Sequence, residues 1–121
     1  MLKELPLVRQ RGECCELPKI DIAWAETTSQ LLKALADPTR IKMLAALWEA
    51  DNPICICDFT ATFALSQPTV SHHMSKLRDL GLVEADKQGI WIYYRLSAAL
   101  PASTREVLSS ICQSQRPMPA S

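Results

Sequence analysis

Glycine is nearly missing: Gly12, Gly81 and Gly89 are the only three in 121 residues. So few cannot build a Gly-rich loop that cradles a nucleotide phosphate. No nucleophile elbow or His–carboxylate pair at catalytic spacing is found either, so an enzyme is not expected. Long apolar runs are also missing; none approaches the roughly 18 residues of a membrane span. Lys3, Glu4, Arg9 and Arg11 interrupt the N-terminal leucines, leaving no signal-peptide core. A cytoplasmic protein without a membrane partner is expected. Net charge is absent as well, with 13 basic against 13 acidic residues. Nucleic-acid modules usually carry a basic surplus, so any such surface here must come from where the charges sit.

Apolar residues make up 48% of the chain, enough for the core of one domain. Cysteine is plentiful: Cys14, Cys15, Cys55, Cys57 and Cys112. An odd number with two tight pairs is a poor disulfide framework. In a reducing compartment, clustered thiols point to metal binding or redox chemistry.

Residues 1–19, broken by Pro6, Gly12 and Pro18, read as a flexible N-terminal arm carrying a Cys pair. Residues 20–113 read as one domain and residues 114–121, with Pro117 and Pro119, as a loose tail. Within the domain, Ile20, Ala23, Trp24, Leu31, Leu32 and Leu35 recur at helical spacing over 20–36. Asp37 then caps a second helix with Pro38 in its first position. That helix is expected to bury Ile41, Leu44, Ala45, Leu47 and Trp48. A short helix over 56–63 and a turn at Leu65-Ser66-Gln67 lead to a fourth helix, with Val70, Met74 and Leu77 inward and Gly81 as its stop. Residues 82–85 and 90–96 flank Asp86-Lys87-Gln88-Gly89 as a β-hairpin. A last helix over 101–113 is expected to bury Val107, Leu108 and Ile111. The predicted order is ααααββα: mainly α with a β-hairpin wing, a winged helix-turn-helix whose second helix enters the major groove.

The outward side of that helix carries Gln67, Thr69, Ser71, His72, His73, Ser75, Lys76 and Arg78. Gln pairs bidentately with adenine and Ser or Thr meets several base edges, whereas Lys76 and Arg78 suit phosphates. Gln67, Thr69, Ser71 and His72 are therefore the expected readers of double-stranded operator DNA. An ordinary solvated helix face has the same composition; the hairpin that follows favours the DNA reading.

Four segments carry a resemblance. Ala34-Leu35-Ala36-Asp37-Pro38-Thr39-Arg40-Ile41 is similar to the L-x-D-P-T-R signature of the ArsR/SmtB metalloregulators. Ser66-Gln67-Pro68-Thr69-Val70-Ser71-His72-His73 resembles that family's recognition helix. Leu77-Arg78-Asp79-Leu80-Gly81-Leu82-Val83 and Tyr93-Tyr94-Arg95-Leu96 resemble its helix exit and second wing strand. The resemblance spans about residues 22–112. It implies a homodimer built on the first and last helices, here through Leu31, Leu35, Leu108 and Ile111. It also implies repression of a resistance operon that ends when an ion binds. The family often has a basic residue after the wing glycine; this chain has Ile90 and Trp91, leaving Lys87 at the wing tip.

Cys55-Ile56-Cys57-Asp58 resembles the C-x-C-D motif of the family's thiol-sensing members. A helical C-x-C step sets two sulfurs about 200° apart, so one faces the ion. Cys55, at the helix start where the dipole favours thiolate, is the expected ligand. Cys57 is the open case, with a small buried apolar group as its plain alternative. Cys14 and Cys15 suit an arm that the resemblance brings onto the third helix, commonly across the dimer interface. Cys112 is expected in the dimer core. Three thiolates without nitrogen or oxygen partners select soft ions. As(III) or Sb(III), wanting three pyramidal sulfurs, comes first. Cd(II) or Pb(II) comes second if Cys57 joins, and Zn(II) wants four ligands. The family's Asp/His site on the last helix is absent, because residues 97–113 hold neither His nor Asp. A redox-responsive repressor joining Cys14 or Cys15 to Cys55 as a disulfide is the rival reading, and a constitutive DNA-binding protein with inert cysteines is another.

Overall fold

A computed structural model describes residues 16–113. Most of the expected N-terminal arm, with Cys14 and Cys15, and the expected tail of 114–121 lie outside the described residues. The elements run α1 (Ile22–Leu35), α2 (Pro38–Glu49), β1 (Ile54–Cys55), α3 (Ile56–Phe63), α4 (Gln67–Asp79), β2 (Val83–Gln88), β3 (Trp91–Leu96) and α5 (Ala102–Gln113). The winged helix-turn-helix order is as the sequence predicts, with one added strand. β1 is two residues long and pairs antiparallel with β3, Ile54 opposite Tyr94 and Cys55 opposite Tyr93, giving the sheet order β1-β3-β2. No periodicity can show in two residues, and their pairing is set forty positions away.

Local chemistry explains the helix ends. Asp21 accepts from the Ala23 and Trp24 N–H groups, so α1 begins at Ile22 rather than at residue 20. Asp37 accepts from Thr39 and Arg40 N–H with Pro38 in the first turn, as expected. Ser66 accepts from the Thr69 N–H at the start of α4. The exit of α4 is a Schellman turn. Gly81 N–H donates to the Arg78 carbonyl at 2.8 Å and Leu82 N–H to the Leu77 carbonyl at 3.0 Å, with Gly81 at φ +75°. The hairpin turn is tighter than expected. Strand β2 continues through Asp86, Lys87 and Gln88, leaving only Gly89 and Ile90 as the loop. Gly89 alone has positive φ there (+64°), which fits a type II′ turn.

The core gathers Leu35, Met43, Leu44, Leu47, Ile56, Phe59, Val70, Met74, Leu77, Leu82, Val83, Tyr94 and Leu108. Val70, Met74 and Leu77 face inward as expected. On α2, however, Ile41 is exposed and Trp48 half-buried, while Met43 joins the core. On α5, Val107 is exposed, and Leu108 and Cys112 are the buried pair. The four residues expected at the dimer interface divide into two pairs. Leu35 and Leu108 are 6% and 1% exposed, already enclosed by their own chain, so neither has surface left for a partner. Leu31 and Ile111 are half-buried and pack against the core edge. Cys112 is likewise in the protomer core, where burial and the nearby Glu49 carboxylate push its thiol up. What α1 exposes instead is Ile22, Trp24 and Leu32. No helix among the described residues is long and apolar enough to cross a membrane.

Candidate nucleic-acid interface and thiol site

Helix α3 packs on α4 through the turn at Ala64-Leu65-Ser66, so α4 stands on a helix that begins at a cysteine. The exposed side of α4 presents Gln67, Thr69, His72, Lys76 and Arg78. Thr69 Oγ1 lies 2.8 Å from the capping Ser66 Oγ, which restrains the start of this face. Three residues expected there, Ser71, His73 and Ser75, are half-buried instead. The Ser71 hydroxyl is set against the Tyr94 phenol, whose titration burial pushes up and Ser71 partly restores. Ser71 is therefore less accessible than Gln67, Thr69 and His72 on the same helix. His73 accepts from the Arg40 guanidinium at 3.1 Å. Desolvation, aided by the charges of Arg40, His72 and Lys76, holds its pKa below the usual imidazole range, against the pull of Asp37. Nothing in spacing could have found this contact, which joins residues 33 positions apart.

The wing carries little spare positive charge. Arg95 Nε is 2.9 Å from Glu84 Oε2, which leaves Lys87 as the other wing cation, exposed on β2. The tip itself is apolar: Ile90 is 83% and Trp91 48% exposed.

Cys55 is not inside a helix. Its backbone is extended (φ −69°, ψ 145°) because it ends β1 and caps α3 at once. The helical 200° separation therefore does not apply. The Cys55 sulfur accepts from the Cys57 N–H at 3.4 Å, and the two sulfurs lie 2.7 Å apart. Burial is also reversed from expectation: Cys55 is 5% exposed and Cys57 is exposed. Donation to the Cys55 sulfur raises the Cys57 thiol pKa first, with desolvation and the charges of Cys55 and Asp58 adding to it. The described residues thus offer one ion two sulfurs from a single turn. They hold no group of three or more His, Cys, Asp or Glu side chains arranged for a metal. Any third ligand must come from elsewhere, and Cys14 and Cys15 lie outside the described residues.

Comparison with known proteins gives a consistent answer. Residues 37–85 match the family described as bacterial regulatory protein, arsR family. The chain is 40% identical over 79 residues to the arsenical resistance operon repressor of Escherichia coli K12, covering 65% of this chain and 67% of that one. Among solved structures, reduced HlyU from Vibrio cholerae superposes with a TM-score of 0.66 at 25% identity, over 78% of this chain and 95% of that one. The homodimeric winged helix-turn-helix DNA-binding domain Mb0332 from Mycobacterium bovis gives 0.60 at 25% identity, over 77% and 79%. With the capped D-P-T-R helix, recognition helix and wing all in place, the chain belongs to the arsR family of bacterial regulatory proteins, which are DNA-binding transcriptional regulators and not enzymes.

Proposed function

We propose that the protein is a homodimeric repressor of an arsenical-resistance operon, released from operator DNA when As(III) or Sb(III) closes on cysteine thiolates. The observation that carries the ion reading is the Cys55–Cys57 pair, two sulfurs 2.7 Å apart at the start of the helix that supports α4. As(III) takes three pyramidal sulfurs. Cys55 and Cys57 supply two, and Cys14 or Cys15 of the N-terminal arm supplies the third, from the same chain or its partner. This assigns Cys57 a firmer place than its sequence spacing suggests. The role of the pair is to convert capture of an ion into a force on α3. An ion shifts a conformational equilibrium only by its differential affinity for the two states. Sulfur bonds that close fully only when α3 and the arm meet supply that difference. The usual coupling of roughly 1–3 kcal/mol would loosen DNA up to ~150-fold. The arsenical repressor of E. coli supports the choice of ion.

The test is release of fluorescent operator DNA by arsenite, in a phosphine reductant that does not compete for the ion. Serine at Cys55 or Cys57, or at Cys14 and Cys15 together, should leave DNA binding intact and abolish release; Cys112→Ser should change neither binding nor release. If Cys57→Ser responds normally, the site is Cys14, Cys15 and Cys55. If the Cys14/Cys15 double variant responds normally, no arm thiol is involved. A second reading draws on the same distance: two thiols this close can also be oxidised together. Release by peroxide but not by arsenite would make the protein a redox repressor, and release by Cd(II) or Pb(II) alone would change the ion.

A further inference from the structure

Arg40 lies in the first turn of α2, yet its side chain serves the two neighbouring helices. Nη1 donates to the Ala34 carbonyl at 3.4 Å and Nε donates to His73 Nδ1 at 3.1 Å. Ala34 is the penultimate residue of α1, so its carbonyl is one of the four at that helix end without an intrahelical partner. His73 is in the middle of α4. Between α1 and α4 runs a cleft of about 350 Å³, lined by Gln30, Lys33, Ala34, Arg40, Lys76 and Leu80. The guanidinium therefore spans a gap that apolar packing does not fill. We propose that Arg40 and His73 are positioning residues for DNA binding: their bridge fixes the angle of the recognition helix relative to α1. This rests on the reading above, in which α4 reads DNA and α1 joins the two protomers. Under it, the angle between α1 and α4 sets how the two recognition helices of a dimer meet successive major grooves. Half-sites lie about 34–36 Å apart, so a small change of angle at one end misplaces the other helix.

The bridge has a built-in protonation requirement. Arginine has donors only, so Nδ1 must accept and the proton of neutral His73 sits on Nε2. The charges around it are Asp37 and Arg40 from α2, His72 and Lys76 from α4, and, lining the cleft, Lys33 of α1 and Asp79 of α4. Arg40, His72 and Lys76, with desolvation, keep the ring neutral against Asp37. A second proton would turn the acceptor into a donor facing a guanidinium, and the bridge would open. Acidification should thus weaken sequence-specific binding through His73. Exposed His72, gaining charge beside phosphates, should act in the opposite direction.

Asparagine at 73 separates these effects, since its Oδ1 can take the place of Nδ1 and cannot titrate. The probe is the duplex that the wild-type protein enriches from a random pool, read by anisotropy. At about pH 7.5, His73→Leu should bind it roughly tenfold more weakly, within the usual range of coupling between sites, and bind random duplex unchanged. His73→Asn should bind as the wild type does. Between about pH 7.5 and 5.5 the wild type should lose affinity relative to His73→Asn, which takes up no proton there. Equal binding by His73→Leu, or a wild-type to His73→Asn ratio that stays constant with pH, overturns the bridge while leaving the DNA reading in place. Should His73→Leu fail to fold, the pH ratio alone decides. Failure of the wild type to enrich any duplex overturns the DNA reading, and the bridge with it.

Discussion

Cys57 holds its proton more tightly than an ordinary thiol because the Cys55 sulfur accepts it. The consequence differs between ions. Arsenous acid exchanges three hydroxides for three thiols, and each hydroxide leaves as water with a thiol proton, so no net proton is released. Cd(II) must expel the protons into solution. Arsenite affinity is therefore expected to stay level as pH rises through neutrality and to fall once the first of the three ligand thiols ionises, with Cys57, whose thiol is pushed up, not the first to do so. Cd(II) affinity should climb through the same range. Calorimetric titrations at several pH values check this. An arsenite affinity that climbs with pH as Cd(II) affinity does would rule out closure on protonated thiols. On α4 the same scale separates two kinds of contact. Gln67→Ala should cost roughly 1–3 kcal/mol at one base-pair position. Lys76→Ala should weaken all duplexes alike and lower the salt slope by about one. Equal loss on specific and random DNA for Gln67→Ala would remove it from the base readers.

The turn between α3 and α4 is the weak element of the motif. Ala64 ends α3 with φ +53°, the one described non-glycine residue in the left-handed region, and its N–H still bonds the Thr60 carbonyl. An L side chain there costs roughly 1–2 kcal/mol. Glycine removes that strain but adds freedom to the unfolded chain, so Ala64→Gly is expected to stabilise the fold by about 0.5–1 kcal/mol, read as a shift in denaturant midpoint. No gain, or a loss, would mean that the Ala64 methyl packs usefully. The wing is an element of a different kind. With Arg95 committed to Glu84, it offers DNA one lysine, Lys87, and an apolar tip rather than a cationic one.

A molecule of zero net charge cannot be drawn to DNA by its total field, so binding must come from the arrangement of the α4 cations in an assembled dimer. Assembly in turn needs apolar surface. α1 provides it with Trp24 and Leu32, 59% and 53% exposed, beside a groove of about 540 Å³ that Trp24, Leu31, Leu82, Leu100 and Val107 help to line. We expect a second copy to fill this groove. Leu32→Asp should yield a folded monomer by ultracentrifugation, with palindromic DNA bound far more weakly; a dimer that persists would move the interface off this face. Leu108→Ala should behave differently. Being 1% exposed, Leu108 belongs to the protomer core, and its truncation should cost about 2–5 kcal/mol of folding stability.

Features that depend on neighbouring residues could be read directly. Asp37 with Pro38, Ser66 and Gly81 delimit helices because caps satisfy backbone groups two to five residues away. Val70, Met74 and Leu77 face inward because a helix brings every third and fourth residue to one side. The helix-turn-helix, the wing and the family's motifs all follow from such local rules. Features decided by distant parts of the chain could not be read. β1 exists because β3 is there to pair with it, and that pairing makes Cys55 an extended cap and so turns its sulfur toward Cys57. Leu35 and Leu108 lie inside the protomer and Trp24 and Leu32 outside it, although all four recur at helical spacing, because only the packing of α1 and α5 against the other elements decides which apolar residues are enclosed. Arg40 reaches His73 for the same reason: the fold brings together two helices whose sequences give no sign of each other.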